Sequence, residues 1–384
     1  MTCRGSCLSI NDIDSTVIQT QNTSKNYYKF GTDIVPLKGR QFLLNAVNIP
    51  DEFHFSGEQL LPTRNQGQCG GCWAFALTSS LHNRIAIYTN NQTRVALSPQ
   101  QLIDCVSGNE QGGCEGATLE DPIINIESTN FQIVPETSYP YLGADGTCQD
   151  VKSDYSVTIA KHYVLTSPID NIGDSTHLQN IENIKQNIYQ HGPIVFGMSV
   201  YPSFMKYDGV SVYEPEPDES SLGGHAILGV GWGVTSKGVP FWVCRNSWGP
   251  SWPPKHLEYY GPGVFFMKMG INNCKMEEQA IGSIPKVTGE NVDTSLIPTP
   301  DEIEHQGIYN PNVHPKPKPI PKPTPKSSGQ WYRILILIAG IIAIVVVNVY
   351  YKIDMAINIV LLVLFAFLTF SIQYNPLDKS IYIK

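Results

Sequence analysis

The chain has no excess of positive charge: 26 Lys and Arg stand against 34 Asp and Glu, a net charge of −8 over 384 residues. It therefore lacks the basic field on which non-specific nucleic-acid binding depends, and nucleic acid is not an expected partner. The first thirty residues contain no apolar run of the kind a secretory signal peptide needs, so no such signal is recognised. An even cysteine count is missing too. Nine cysteines cannot all pair within one chain, so at least one thiol is free, reactive or paired between chains. Charged residues are scarce at 16%, whereas 42% hydrophobic residues supply a sizeable core, which excludes a wholly disordered or collagen-like chain. No internal repeat is found, and at roughly 150 residues per domain the length allows two to three folding units.

Composition divides the chain into four pieces. Residues 1–47 are polar and then mixed, too short and weakly periodic for an independent domain, and read as an N-terminal extension and possible short propeptide. Residues 48–285 form the body. Residues 286–330 read as a linker, first polar and then Pro/Lys-rich: Pro311 to Lys326 holds seven prolines and four lysines, a polyproline II composition suited to a stiff spacer and only weakly suggestive of an SH3-type ligand. Residues 331–384 carry two membrane-length stretches, Ile334–Tyr350 and Met355–Ile372. Together they would span roughly 58 Å as one helix, too long for a single crossing of a core of about 30 Å. Lys352 and Asp354 lie between them, where burial in hydrocarbon is costly, so the expectation is a C-terminal transmembrane helical hairpin, two spans rather than one. Lysines and Arg333 before the first span put that flank on the cytoplasmic side by the positive-inside rule.

Chemistry gathers in three segments of the body. In Asn65-Gln66-Gly67-Gln68-Cys69-Gly70-Gly71-Cys72, a glycine-rich loop precedes apolar residues at 73, 76, 77, 81, 85 and 88, a helical spacing that predicts Cys72 at the amino end of a buried helix. The helix dipole and free N–H groups there favour the thiolate. Alone, Cys69-x-x-Cys72 is equally compatible with a redox pair. Gly224-His225 opens one apolar strand-like run, and Phe241 to Arg245 leads into Asn246-Ser247-Trp248. Such strands can hold an imidazole and an amide near a helix terminus, which a Cys/His nucleophile requires.

NQGQCGGCWAF, GGHAILGVGWG and FWVCRNSWG, in this order, resemble the three catalytic blocks of papain-family cysteine peptidases, and the likeness extends over most of residues 48–285. His225 follows Cys72 by 153 residues and Asn246 follows His225 by 21, slightly longer than the family's pattern of roughly 130–150. The resemblance implies an α+β, papain-like two-lobed fold, with a helical lobe bearing Cys72 and a β-barrel-like lobe bearing His225 and Asn246. It implies Cys72 as nucleophile, His225 as base and later acid, Asn246 as orienter and Gln66 as oxyanion donor. Trp248 would shield the His–Asn hydrogen bond, while Trp73 is read as core packing. Gly116, Ala117, Gly224 and Gln279 would line substrate subsites, with Ala117 where the family has a second glycine and Gln279 where cathepsin B has an acid.

Several segments resemble cathepsin B more than other members, among them HNRIAIYTN and HGPIVFGMSVYPSFMKY, yet the paired histidines of that enzyme's occluding loop have no counterpart between Cys114 and Cys148. The implied activity is thus that of a membrane-anchored endopeptidase with an open primed side, using no metal or organic cofactor, acting on protein or peptide substrates through a monomeric peptidase domain. A catalytically silent binding protein on the same fold, and a CxxC thiol–disulfide oxidoreductase, are the alternatives. The resemblance pairs Cys69 with Cys114 and Cys105 with Cys148, an oxidising arrangement at odds with a cytoplasmic address. It leaves Cys274 without its usual partner and Cys244 as a buried free thiol. Pro253 to Gly261 looks like an insertion of unassigned role.

Overall fold

The computed structural model describes residues 17–19, 29–38, 48–55, 59–106, 112–289 and 292–306. Both apolar C-terminal stretches, and with them the expected membrane hairpin, lie outside the described residues; among those residues no helix is long and apolar enough to cross a membrane.

Among the described residues, four helices and twelve strands make up the body as far as residue 289. The helices are α1 (Cys72–Tyr88), α2 (Pro99–Cys105), α3 (Asp121–Thr129) and α4 (Ser175–His191). Of the strands, β1 (Val17–Gln19), β2 (Thr32–Asp33) and β3 (Phe53–His54) precede α1, and β4 (Ala117–Thr118) precedes α3. The remainder are β5 (Tyr155–Val164), β6 (Ile194–Val200), β7 (Val212–Tyr213), β8 (Gly223–Val234), β9 (Pro240–Arg245), β10 (Lys255–Leu257), β11 (Val264–Lys268) and β12 (Ala280–Gly289). Eight of them form one sheet in the order β5-β12-β6-β8-β9-β11-β7, with β3 paired onto β8. The two ends of that order do not pair with each other among the described residues, so the β half is an open sheet rather than a hydrogen-bonded barrel.

The helical spacing read from residues 73 to 88 understates how α1 is buried. Every residue except Ser79 is inaccessible, which suits a helix enclosed on all sides rather than an amphipathic surface helix. Its apolar side chains join a core with Leu102, Ile123 and Ile126 on one side and with Val195, Ala226 and Ile281 of the sheet on the other. A second core, including Phe196, Trp232, Trp242 and Phe265, fills the β half. Arg84 is fully buried within α1, where neutral acceptors satisfy its guanidinium: Pro193 O (2.8 Å), Ser283 O (3.0 Å) and Asn187 Oδ1 (2.6 Å). These bonds tie α1 to α4 and β12, since leaving such donors unmet inside a core would be costly.

The body extends past both expected limits. β12 runs to Gly289, beyond the boundary at 285, and Ile297 and Ile303, the latter in a short helix α5 (Pro300–Gln306), are buried in the two cores. Polar composition had marked this stretch as linker, but two isoleucines at the right positions suffice to pin it down. At the other end, residues 29–38 pack into the body although they fall within the expected extension of 1–47. Disulfides join Cys69 to Cys114 and Cys105 to Cys148, with Cα separations of 4.6 and 4.8 Å, while Cys72, Cys244 and Cys274 are free and buried.

Candidate active site

Gly70 and Gly71 bring the chain sharply into α1, and no side chain caps the helix; Ala74 and Phe75 N–H donate to Gly71 O, so of the first turn the Cys72 and Trp73 N–H groups remain at the helix terminus. Cys72 is fully buried. Burial would push its thiol up, but the charge of His225, that residue's hydrogen-bonding capacity, the Thr32 hydroxyl and the Ala226 backbone outweigh it and hold the thiol below its ordinary value. The bond between Cys69 and Cys114 leaves Cys72 without a redox partner, which removes the oxidoreductase reading.

β8 and β9 deliver the other two groups. Asn246 Oδ1 accepts from the Ser247 amide (2.8 Å) and lies 2.8 Å from His225 Nε2. Because that oxygen can only accept, Nε2 carries a proton, which leaves Nδ1, without a hydrogen-bond partner of its own, as the ring nitrogen available to Cys72. Trp248 lies against the imidazole with ring centroids 4.9 Å apart and, itself buried, screens the His225–Asn246 bond from water. Trp73 is core, as expected, its indole N–H donating to Gly113 O (3.3 Å).

Gln66 is held from two sides. Ser247 Oγ donates to its Oε1 (2.6 Å), which aims Nε2 the other way, and that amide donates to Cys69 O and to Lys29 O, both at 3.0 Å. The Lys29 carbonyl thus occupies the acceptor position that an oxyanion donor would serve.

Lys29 belongs to a segment that sequence reasoning missed. Residues 29–38 thread past every residue expected to bind substrate. Gly31 O accepts from Ala117 N (2.9 Å), and Thr32–Asp33 pairs in parallel with Ala117–Thr118, next to Gly116. Thr32 Oγ1 sits 3.2 Å from Cys72 Sγ, and Phe30 meets the rings of His225 and Trp248. A Cβ on Gly224 would fall 1.7 Å from Thr32 O, and one on Gly31 would fall 1.6 Å from Gly70 O, so glycines on both partners permit the approach. Further along, Ile34 lies against Gly197 and Gly224, and Gln279 Nε2 donates to Val35 O (2.9 Å). The segment ends with Lys38 N on Glu120 Oε2 (2.7 Å). Earlier in the chain, β1 pairs antiparallel with β10, which gives the inserted stretch at 253–261 a structural partner. No motif signalled these contacts: the segment is of mixed polarity and acquires meaning only against the cleft.

Comparison with known proteins agrees with this geometry. A family model described as papain family cysteine protease matches residues 49–284. Pro-cathepsin H of Bos taurus is 33% identical over 236 residues, covering 60% of this chain and 63% of that protein. Digestive cysteine proteinase 2 of Homarus americanus is 35% identical over 192 residues, 50% of this chain and 54% of that one. The chain thus spans less than two thirds of the length of either relative. Cathepsin B-like cysteine proteinase 5 of Caenorhabditis elegans is 26% identical over 67% of this chain and 81% of its own. Among solved structures, procathepsin B S9 from Trypanosoma congolense superposes with a TM-score of 0.51 at 20% identity, covering 67% of this chain and 87% of that one, a likeness of fold. On the family match and the fold it accompanies, the chain belongs to the papain family of cysteine proteases.

Proposed function

We propose that the protein is a cysteine endopeptidase whose cleft is closed by its own N-terminal segment. The observation that carries this reading is the convergence of an acidified Cys72 thiol, a His225 whose free nitrogen is Nδ1, an Asn246 that fixes that tautomer and a Gln66 amide aimed at a carbonyl. In the reaction, the Cys72 thiolate attacks the scissile carbonyl carbon, and the resulting oxyanion is stabilised by the Gln66 side chain and the Cys72 N–H. Protonated His225 gives its proton to the leaving amine as the C–N bond breaks. Water then attacks the thioester while His225 takes its proton, releasing the acid and restoring the thiol. Cys72, His225, Asn246 and Gln66 carry the chemistry, and no metal or organic cofactor enters it.

Ile34 against Gly197 and Gly224, with Gln279 also beside Gly197, supports an aliphatic preference in the second subsite, where a neutral amide cannot compensate a buried guanidinium. The parallel pairing of Thr32–Asp33, the Lys29 carbonyl on Gln66 and the β1–β10 pair support the reading of residues 1–47 as an inhibitory extension. Residues 331–384 serve as a membrane anchor in this proposal. Their lysine-rich flank favours a cytoplasmic peptidase and the disulfides an oxidising compartment, a conflict that protease protection of intact membranes decides.

The first test treats the full chain and a Cys72→Ala variant with an epoxysuccinyl peptide that alkylates activated peptidase thiols, before and after limited proteolysis of the N-terminal segment. A single adduct that grows after proteolysis and is absent from the variant is expected. A folded, clipped sample that takes up no probe would favour a silent scaffold.

A further inference from the structure

A cavity lies behind the proposed catalytic asparagine, walled by the 61–64 segment, one face of α1, β8 and residues 245–247, and it shares no residue with the groove alongside the strap. It is partly open to solvent and offers about 20 Å³ of free space, room for one small occupant, since a water needs roughly 10–15 Å³. Four of its polar side chains, Arg64, His82, Asn83 and Arg245, offer donors. Arg64 is already matched, with Glu136 at 2.8 Å. Arg245 is not: its guanidinium reaches only the neutral acceptors Thr63 Oγ1 (2.9 Å) and Leu61 O (2.5 Å), and among the described residues no carboxylate pairs with it. Asn83 spends its carbonyl on Leu61 N (2.7 Å), which leaves its NH₂ as its free polar group. His82, 1% exposed, accepts the Leu97 amide at Nδ1 (3.5 Å), so its proton sits on Nε2, which no hydrogen bond among the described residues engages. Burial, together with the charges of Arg64, Arg245 and Arg94, holds this imidazole well below its usual value and hence neutral. No carboxylate lines the space.

A part-buried guanidinium with no carboxylate partner among the described residues, lining a space whose other polar side chains offer donors, favours a negative occupant. We propose that this cavity binds one small monovalent inorganic anion, chloride being the abundant candidate, which neutralises Arg245 and braces the Asn246–Ser247 corner. The single unmatched charge sets the valence, and so small a space favours a halide over tetrahedral phosphate or sulfate. From that corner Ser247 directs both the Asn246 carbonyl and the Gln66 amide, so occupancy stiffens two groups of the proposed machinery at once. The effect on turnover rests on the peptidase reading; binding itself does not.

The test is thermal unfolding of the full chain at constant ionic strength, with sodium gluconate replaced stepwise by sodium chloride or sodium bromide. Both halides are expected to raise the midpoint saturably, by about 3 °C or more, while sulfate does not. Arg245→Gln should abolish the response. Should that variant fail to fold, Ser79→Val narrows the cavity from α1 without touching the charge, and it too should lose the response. A wild-type protein indifferent to halide, or an equal response in folded Ser79→Val, overturns the proposal. A saturable halide response in a protein whose Cys72 never takes up the epoxysuccinyl probe would sustain the anion site while sinking the peptidase reading.

Discussion

Gln66 offers the sharpest test of a single side chain. It contributes an amide and no charge, so Gln66→Ala should leave labelling of Cys72 largely intact while lowering turnover by about 10²–10³-fold, the usual loss for one oxyanion donor. Equal losses of labelling and turnover would instead mean that the substitution disorders the Ser247 contact. A second residue governs acid stability. His54 packs half-buried against Tyr259 and Tyr260, its Nε2 unpartnered, and desolvation of the ring lowers its pKa to about 4 from 6.5. In this depressed case the unfolded chain binds the proton first, so folding stability falls as pH drops from about 6.5 through 4. His54→Phe keeps the ring and removes the titration; the variant should lose less stability than wild type between pH 7 and 5 in urea unfolding. An unchanged pH profile would assign the acid sensitivity elsewhere.

Two elements decide whether the site can work. Helix α1 presents Cys72 at its amino end and carries Arg84 to the sheet, so one element links the proposed nucleophile to the half that bears His225. The strap at 29–38 is the opposing element. Its fit depends on Gly31, where any side chain would overlap Gly70 O. Gly31→Val should expel the strap, because close-packed interiors do not yield to such overlap. The full-length variant is expected to label with the epoxysuccinyl probe at least tenfold faster than the unclipped wild type. No acceleration in a folded protein would show that the strap does not limit access. The glycine-rich loop and apolar spacing made α1 legible in the sequence, whereas nothing in KFGTDIVPLK indicated where those residues would lie.

For the whole molecule, the body and the tail make separable predictions. The full chain should resist alkaline carbonate extraction from membranes, and a chain ending at residue 330 should be released. Release of both would remove the anchor from the proposal. Hydropathy alone carries this expectation, because crossing a bilayer requires only length and apolarity, both one-dimensional properties. That Cys72 opens a helix and that His225 and Asn246 lie on or beside strands was likewise legible, since three local motifs carry these proposed catalytic residues. What only the tertiary structure decided are the relations between segments remote in sequence. The strap needs glycines at 31, 70 and 224 to coincide, the body recruits Ile297 and Ile303 past its expected end, and the cavity places Arg245 beside donors from α1. Close packing creates these relations by bringing distant residues within a few ångströms, and no periodicity along the chain encodes them.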